Sequence, residues 1–186
     1  MSVSVAEPVH PLVGDLVLGL HGAEGTPGIT LDAPPRDVVQ LLARRGQKIS
    51  AMPGPGRSAA TDFGTAIWLQ PGVWAVVAPR GPAGALAGRL AEEFGDRAAV
   101  VDQSHGRTVI GIAGPAARKM LAKGIRVDLH PSVFKVGDVA VTECAHLGVA
   151  LLRADETRYE LVVMSTFARE LWHFITESAA EFGYIV

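Results

Sequence analysis

The run Asp102-Gln103-Ser104-His105-Gly106-Arg107 gathers an acid, a hydroxyl, an imidazole and a guanidinium within six residues. Those are the parts of a nucleophilic triad, which needs serine-to-histidine and histidine-to-acid hydrogen bonds in series. Adjacency counts against that use, because neighbouring side chains on an extended segment point to opposite sides. The run reads better as a polar connection whose side chains cap the next elements. Ser104, His105 and Arg107 are then candidate contacts to a partner, and no catalytic residue is assigned.

A second constellation, Glu143-Cys144-Ala145-His146, places Cys144 and His146 on one side of an extended segment. Zinc takes four ligands, or three and a water. His130 and His173 would have to come from distant elements, so Cys144 reads as a small buried hydrophobe and no metal site is assigned. His173, Glu177 and Glu181 follow at four-residue steps, a spacing that aligns them on one helix face and fits a solvated or partner-facing stripe. Two glycine-rich runs, Gly19-Leu20-His21-Gly22-Ala23-Glu24-Gly25 and Gly54-Pro55-Gly56-Arg57-Ser58, lack a phosphate-loop spacing. The first carries a repelling glutamate, and proline removes an amide donor from the second. Trp68, Trp74 and Trp172 could floor a pocket, but tryptophans on a hairpin and an amphipathic helix are by default core.

The 186 residues are 48% hydrophobic and 19% charged, with mean hydropathy +0.26, a composition that packs rather than stays disordered. Seventeen Lys and Arg face nineteen Asp and Glu. Only four of the bases are Lys, and no basic stripe offers a phosphate backbone its counter-charges, so nucleic acid is not an expected partner. No base precedes Arg36, which leaves the first 35 residues at a formal −4 and the remainder at +2. The acidic start and the short apolar run 16–20 do not make a secretory signal, and no stretch has the apolar length of a membrane span. One cysteine excludes an internal disulfide. The expected location is the cytoplasm.

These residues need elements to position them. Helices are expected from Pro35, with Val38, Val39, Leu41 and Leu42 before Gly46; from Pro82, with Leu86, Leu90 and Phe94 before Gly95; and from Gly114-Pro115, through Ala117, Met120 and Leu121, to Gly124. A fourth follows Ser165 as N-cap, with Phe167, Leu171, Phe174, Ile175 and Phe182 inward, and ends at Gly183. Strands are expected at 28–32, 65–69, 73–78, 98–102, 107–113, 139–142, 147–152 and 159–163, with hairpins across Gln70-Pro71-Gly72 and Ala154-Asp155-Glu156-Thr157. Stretches 7–14, 19–27, 53–62 and 124–137 read as irregular.

The order repeats. Each half runs strand, proline-led helix, variable stretch, hairpin, amphipathic helix, and the last helices share an ending, Glu93-Phe94-Gly95 and Glu181-Phe182-Gly183. Trp74-Ala75-Val76-Val77 also matches Tyr159-Glu160-Leu161-Val162 loosely. The expectation is an α+β protein of two intertwined, related halves of ferredoxin-like order, strand-helix-strand-strand-helix-strand. An acidic N-terminal arm would cover 1–27, the first half 28–102 and the second half 103–186.

The second half also resembles a known family. The string 101–110, the continuation Gly111-Ile112-Ala113-Gly114-Pro115-Ala116-Ala117, the motif Asp128-Leu129-His130-Pro131, and the segments 148–152 and 167–172 are similar to the gamma subunit of heterotetrameric sarcosine oxidase. The resemblance covers residues 98–183 well and the first half by overall pattern. It implies a fold like the folate-binding domain of aminomethyltransferases and a non-catalytic subunit without cofactor. It further implies alpha, beta and delta partners, with alpha as the direct contact. The complex would demethylate sarcosine oxidatively to glycine, yielding hydrogen peroxide and methylene-tetrahydrofolate. FAD, FMN, NAD and tetrahydrofolate would sit in alpha and beta, and zinc in delta. Related complexes oxidise other N-methyl amino acids, a choice the family's gamma subunit does not make. The alternative is a free-standing folate-binding protein of the aminomethyltransferase type, with Asp102 or Asp128 as its carboxylate.

Overall fold

The computed structural model describes residues 9–186; Glu7 of the expected acidic arm, and the start of the irregular stretch 7–14, lie outside the described residues. Twelve strands and three α-helices occur among them, in an α+β arrangement of two sheets. The strands are β1 (Leu20–His21), β2 (Ile29–Asp32), β3 (Arg36–Ala43), β4 (Ser58–Thr61), β5 (Gly64–Gln70), β6 (Val73–Pro79), β7 (Ala98–Asp102), β8 (Arg107–Ala113), β9 (Val139–Cys144), β10 (Leu147–Arg153), β11 (Arg158–Met164) and β12 (Tyr184–Ile185). The helices are α1 (Ala85–Phe94), α2 (Ala117–Leu121) and α3 (Ala168–Ala179).

One sheet has the order β4-β5-β6-β3-β7 and the other β1-β12-β2-β8-β11-β10-β9; only β12 and β2 run parallel. The sheets pack face to face through Val38, Ile67, Ala75 and Val77 on one side and Val109, Ala150, Leu152 and Val162 on the other. Alternation along each strand sends the remaining apolar side chains outward to helices. Val39, Leu41 and Val76 meet Leu86, Leu90 and Phe94 of α1. Ile110, Ile112 and Leu161 meet Met120 of α2 and Leu171 and Ile175 of α3. The result is four layers, helix, sheet, sheet, helix.

The proline-led helix expected from Pro35 is instead strand β3, bonded to β6 on one side and β7 on the other. Asp37, Val38, Val39 and Leu41 are all buried, because this strand is covered on both faces. A strand buried twice loses its alternation, and a short apolar run then reads equally as helix. Pro34 and Pro35 lie in the link that carries the chain from one sheet to the other. Strand β2, expected to open the first half, pairs with β8 and β12 in the other sheet. Strand β4 forms inside the stretch expected to be irregular at 53–62.

The other three expected helices form, with shifted starts. Pro82 begins a turn ahead of α1, and Gly114-Pro115 one ahead of α2. Ser165 does not cap α3. It opens a 3-10 turn, and its hydroxyl pairs with that of Thr108 at 3.0 Å. Phe167, expected inward, is 42% exposed. Both triplet glycines adopt positive φ, 48° at Gly95 and 64° at Gly183, as a chain turning out of a helix requires. Residues 9–19 lie on the second half. Leu12 is fully buried in its core, and Trp172 Nε1 donates to the Asp15 carbonyl at 3.2 Å.

Candidate functional site

The turn 103–106 carries the chain from β7 in one sheet to β8 in the other, and the link 33–35 makes the reverse crossing beside it. Backbone bonds fix the turn at both ends: Gln103 N donates to Val38 O at 2.8 Å, and Ser165 N donates to Gly106 O at 3.0 Å. Ser104 is buried, and its hydroxyl accepts the Val38 N–H at 3.1 Å. Its own N–H is taken by Asp102 Oδ1 at 2.9 Å, and its carbonyl accepts Arg80 Nη2 at 3.1 Å. Ser104 is thereby committed to joining the crossing to β3. His105 is exposed and Arg107 half-buried, so these two of the three candidate contacts face outward.

Around them opens a cleft of about 500 Å3. Its walls include Arg36, Arg80, His105 and Arg107, with His10 and Pro11 from the N-terminal segment closing one side. Arg80 Nε lies 3.3 Å from Asp37 Oδ1, and Asp37 Oδ2 also accepts the Gly81 N–H at 2.9 Å. Arg36 Nε is buried with no hydrogen-bond partner among the described residues. His10 accepts the Leu12 N–H on Nδ1 at 3.2 Å. Burial, and then the Arg80 charge, hold His10 below its ordinary value. Asp102 stays below the usual carboxylate range: burial opposes that, and the bonds from Ser104 with the charges of His105 and Arg80 outweigh it.

Arg36, Arg80 and His10 escaped the sequence reading. They reach the cleft from three separate places, Arg36 was hidden in a segment read as helix, and no spacing links residues 10, 36, 80 and 107. The run does not line up as a triad, because Asp102 accepts the Ser104 N–H and the Ser104 hydroxyl accepts the Val38 N–H.

The other candidates are dispersed. Cys144 is fully buried, and burial pushes its thiol up to about 11. His146 turns away in the two-residue hairpin loop joining β9 to β10, where Ala145 and His146 have φ of 49° and 69°. No group of three metal-ligating side chains occurs among the described residues. His173 Nε2 lies 3.2 Å from Glu177 Oε1 on the exposed face of α3, while Glu181 pairs with Lys123. Trp74 and Trp172 are core, and Trp74 Nε1 donates to Pro53 O at 2.8 Å. Between the sheets, Val38, Gln40, Gln103 and Arg107 enclose about 20 Å3, room for roughly one water. Asp128 is exposed and caps the His130 N–H at 2.8 Å. No helix among the described residues is long and apolar enough to cross a membrane.

Two facing sheets flanked by helices place the chain in a known class. Over 83% of its length it superposes on 49% of the glycine cleavage system aminomethyltransferase T from Bartonella henselae, with TM-score 0.61 at 16% identity, a likeness of fold alone. Residues 57–181 match the family model described as sarcosine oxidase, gamma subunit family, and the chain belongs to that family. It is 34% identical over 130 residues to the sarcosine oxidase subunit gamma of Corynebacterium sp. (strain P-1). That stretch is 69% of this chain and spans 63% of the relative's length. In the structure of heterotetrameric sarcosine oxidase from Corynebacterium sp. U-96 in complex with pyrrole 2-carboxylate, one chain superposes with TM-score 0.76 at 26% identity, covering 87% of this chain and 88% of that one.

The residues that carry the family resemblance do structural work here. Gly114 at φ 117° brings the start of α2 against β2, where Ala116 N donates to Gly28 O at 3.1 Å. Gly111 stands where a side chain would collide with Asp32 and Arg158. Leu129 of the Asp-Leu-His-Pro motif is buried in the second-half core.

Proposed function

We propose that this chain is a non-catalytic gamma subunit of a heterotetrameric oxidase that demethylates sarcosine to glycine in the cytoplasm. Hydrogen peroxide and methylene-tetrahydrofolate would be the accompanying products. Its direct partner is the alpha subunit, with beta and delta completing the complex. FAD, FMN, NAD and tetrahydrofolate belong to alpha and beta and supply the redox and one-carbon chemistry; zinc belongs to delta. The chain's own contribution is a rigid two-sheet body that presents a contact surface.

The observation that carries this reading is the near-complete superposition on one chain of a heterotetrameric sarcosine oxidase. The surface supports it: Val9, Val13, Val17, Leu18 and Leu20 stand exposed within twelve residues, Leu18 at 81%. Apolar side chains in that number on a well-packed domain mark an interface. The free-standing folate reading finds no support in the geometry. The space between the sheets admits about one water, and neither Asp102 nor Asp128 lines that space.

The test is co-expression with the neighbouring open reading frames, tagging this chain alone. A yellow copurifying complex that makes peroxide with sarcosine is the expected result. A colourless monodisperse monomer would refute it, and activity only on another N-methyl amino acid would move the substrate and keep the subunit role.

A further inference from the structure

The cleft at the two sheet crossings has a chemistry the subunit role does not require. Among the described residues its lining contains Arg36, Arg80, Arg107, His10 and His105 and no carboxylate. One acid, Asp37, pairs with Arg80 from behind the wall, and Asp102, which feels the charges of Arg80 and His105, is hydrogen-bonded to the Ser104 N–H. Among the described residues, Arg36 and Arg107 pair with no carboxylate. Of the three guanidinium groups, one is thus ion-paired among the described residues, and it is paired from behind the wall.

A half-buried guanidinium without an acceptor is expensive, because burial strengthens the charge and removes the water that would offset it. The buried, unpartnered Nε of Arg36 marks the same deficit. His10 adds a donor: with Nδ1 accepting from Leu12, the neutral ring carries its proton on Nε2. Burial first, and then the Arg80 charge, lower the affinity of His10 for a second proton. Arginine is also the side chain whose planar fork fits an oxyanion in bidentate fashion.

Most of the remaining wall is apolar, with Ser104 and Thr108 as its hydroxyl-bearing members. Val9, Pro11, Pro34, Pro35 and Val109 face the same opening, so bare inorganic anions would leave most of it unfilled. We infer that this cleft is an anion-binding site for a carboxylate carried on an apolar group. The carboxylate sits among Arg36, Arg80 and Arg107, and the apolar body lies against the prolines. Two sources share that chemistry, a free small organic acid and an acidic side chain of a partner subunit beside an apolar one. The inference stands apart from the oxidase reading, since the charge of the cleft belongs to this chain.

Arginine footprinting with phenylglyoxal on the full-length chain, read by mass spectrometry, tests it. Benzoate is the probe and benzamide its neutral counterpart, at ionic strength held constant with sodium chloride. Saturable protection of Arg80 and Arg107 by benzoate, with modification at least about threefold slower, is expected. Benzamide should protect neither, and Arg45, past the far end of β3, should react at its usual rate. The variant Arg36→Gln should weaken benzoate protection of the other two while keeping the melting temperature. Equal effects of benzoate and benzamide, or no protection at either arginine, would overturn the proposal whatever the chain copurifies with. In the copurified complex, protection without benzoate assigns the carboxylate to a partner subunit, and benzoate-dependent protection assigns it to a free acid.

Discussion

In the first half the place beside β3 is held by β7, which follows α1 along the chain. In the second half the equivalent place beside β8 is held by β2, which arrives from the far N-terminal side, while β12 is displaced one position outward. Both sheets keep a ferredoxin-like order of four neighbours, β7-β3-β6-β5 and β2-β8-β11-β10; the first adds β4 at one edge, and the second adds β9 at one edge and β12 and β1 at the other. The first half closes on its own chain, and the second half is finished by residues 9–32. The halves differ in helices as well: α2 covers the second-half sheet, whereas residues 44–57 of the first half form turns in its place. A repeat can thus keep its sheet while losing a helix, because pairing of the central strands supplies the frame and the helix only covers it.

The largest expected effect comes from cutting that borrowed strand away. A chain beginning at residue 34 loses Leu12, Ile29 and Leu31, all buried in the second-half core, and bares the edge of β8. At about 1.5–3 kcal/mol for each buried side chain, the loss approaches the whole stability of an ordinary domain. Such a truncation should yield aggregated protein by size-exclusion chromatography. A soluble monomer with native near-ultraviolet circular dichroism would show that the second half does not depend on β2.

Next in size, Leu31→Ala in the borrowed strand and Leu41→Ala in β3, both fully buried, should each cost about 3 kcal/mol in urea unfolding. Equal costs would mean that β2 is as integral to its sheet as β3 is to its own. A cost below about 1 kcal/mol at Leu31 alone would mark β2 as loosely held.

A smaller effect follows from the clasp on β2. Arg158 Nη1 and Nη2 bind Asp32 Oδ2 and Oδ1 at 2.7 and 3.0 Å, and both side chains are about one-third exposed. Asp32→Asn should cost on the order of 1 kcal/mol. Gly111→Ala forces a methyl group into the same pair, so the double variant should be less destabilised than the sum of the singles. Strict additivity would show that Gly111 serves some other purpose.

The smallest effect is a pH dependence at the N-terminal segment. His10 titrates lower in the fold than in the unfolded chain, where its value is near 6.5, so between the two values the unfolded chain binds more protons. The stability this contributes is complete above pH 6.5 and is lost as pH falls through the folded value. The melting temperature should therefore drop between pH 7.5 and 5.5, and by less in His10→Asn. An identical drop in both would remove His10 as the source.

Much of the sheet architecture was legible because hairpins announce themselves. Pro71-Gly72 and Asp155 sit between β-branched runs, and both hairpins form where expected. Helices α1, α2 and α3 showed in their apolar spacing and in the glycines that end them. Strand β3 was illegible for the same reason that it is central: covered on both faces, it has no polar side to set a period. The cleft was half legible. Residues 105 and 107 stood out as a polar turn, while Arg36 and Arg80 carried no local mark of their meeting.

Composition, local period and turn chemistry, which act over a few residues, were enough for the α+β class, for the hairpin followed by an amphipathic helix in each half, and for the burial of Cys144, Trp74 and Trp172; the family came from the resemblance of whole motifs. Tertiary structure alone decided that residues 29–32 complete the opposite sheet, that Ser104 is spent on fixing a crossing, and that three arginines from separate strand ends share one cleft. Those outcomes depend on pairing between segments far apart in the chain, and the free energy of such pairing is set by what each edge and face has left unburied when the chain closes.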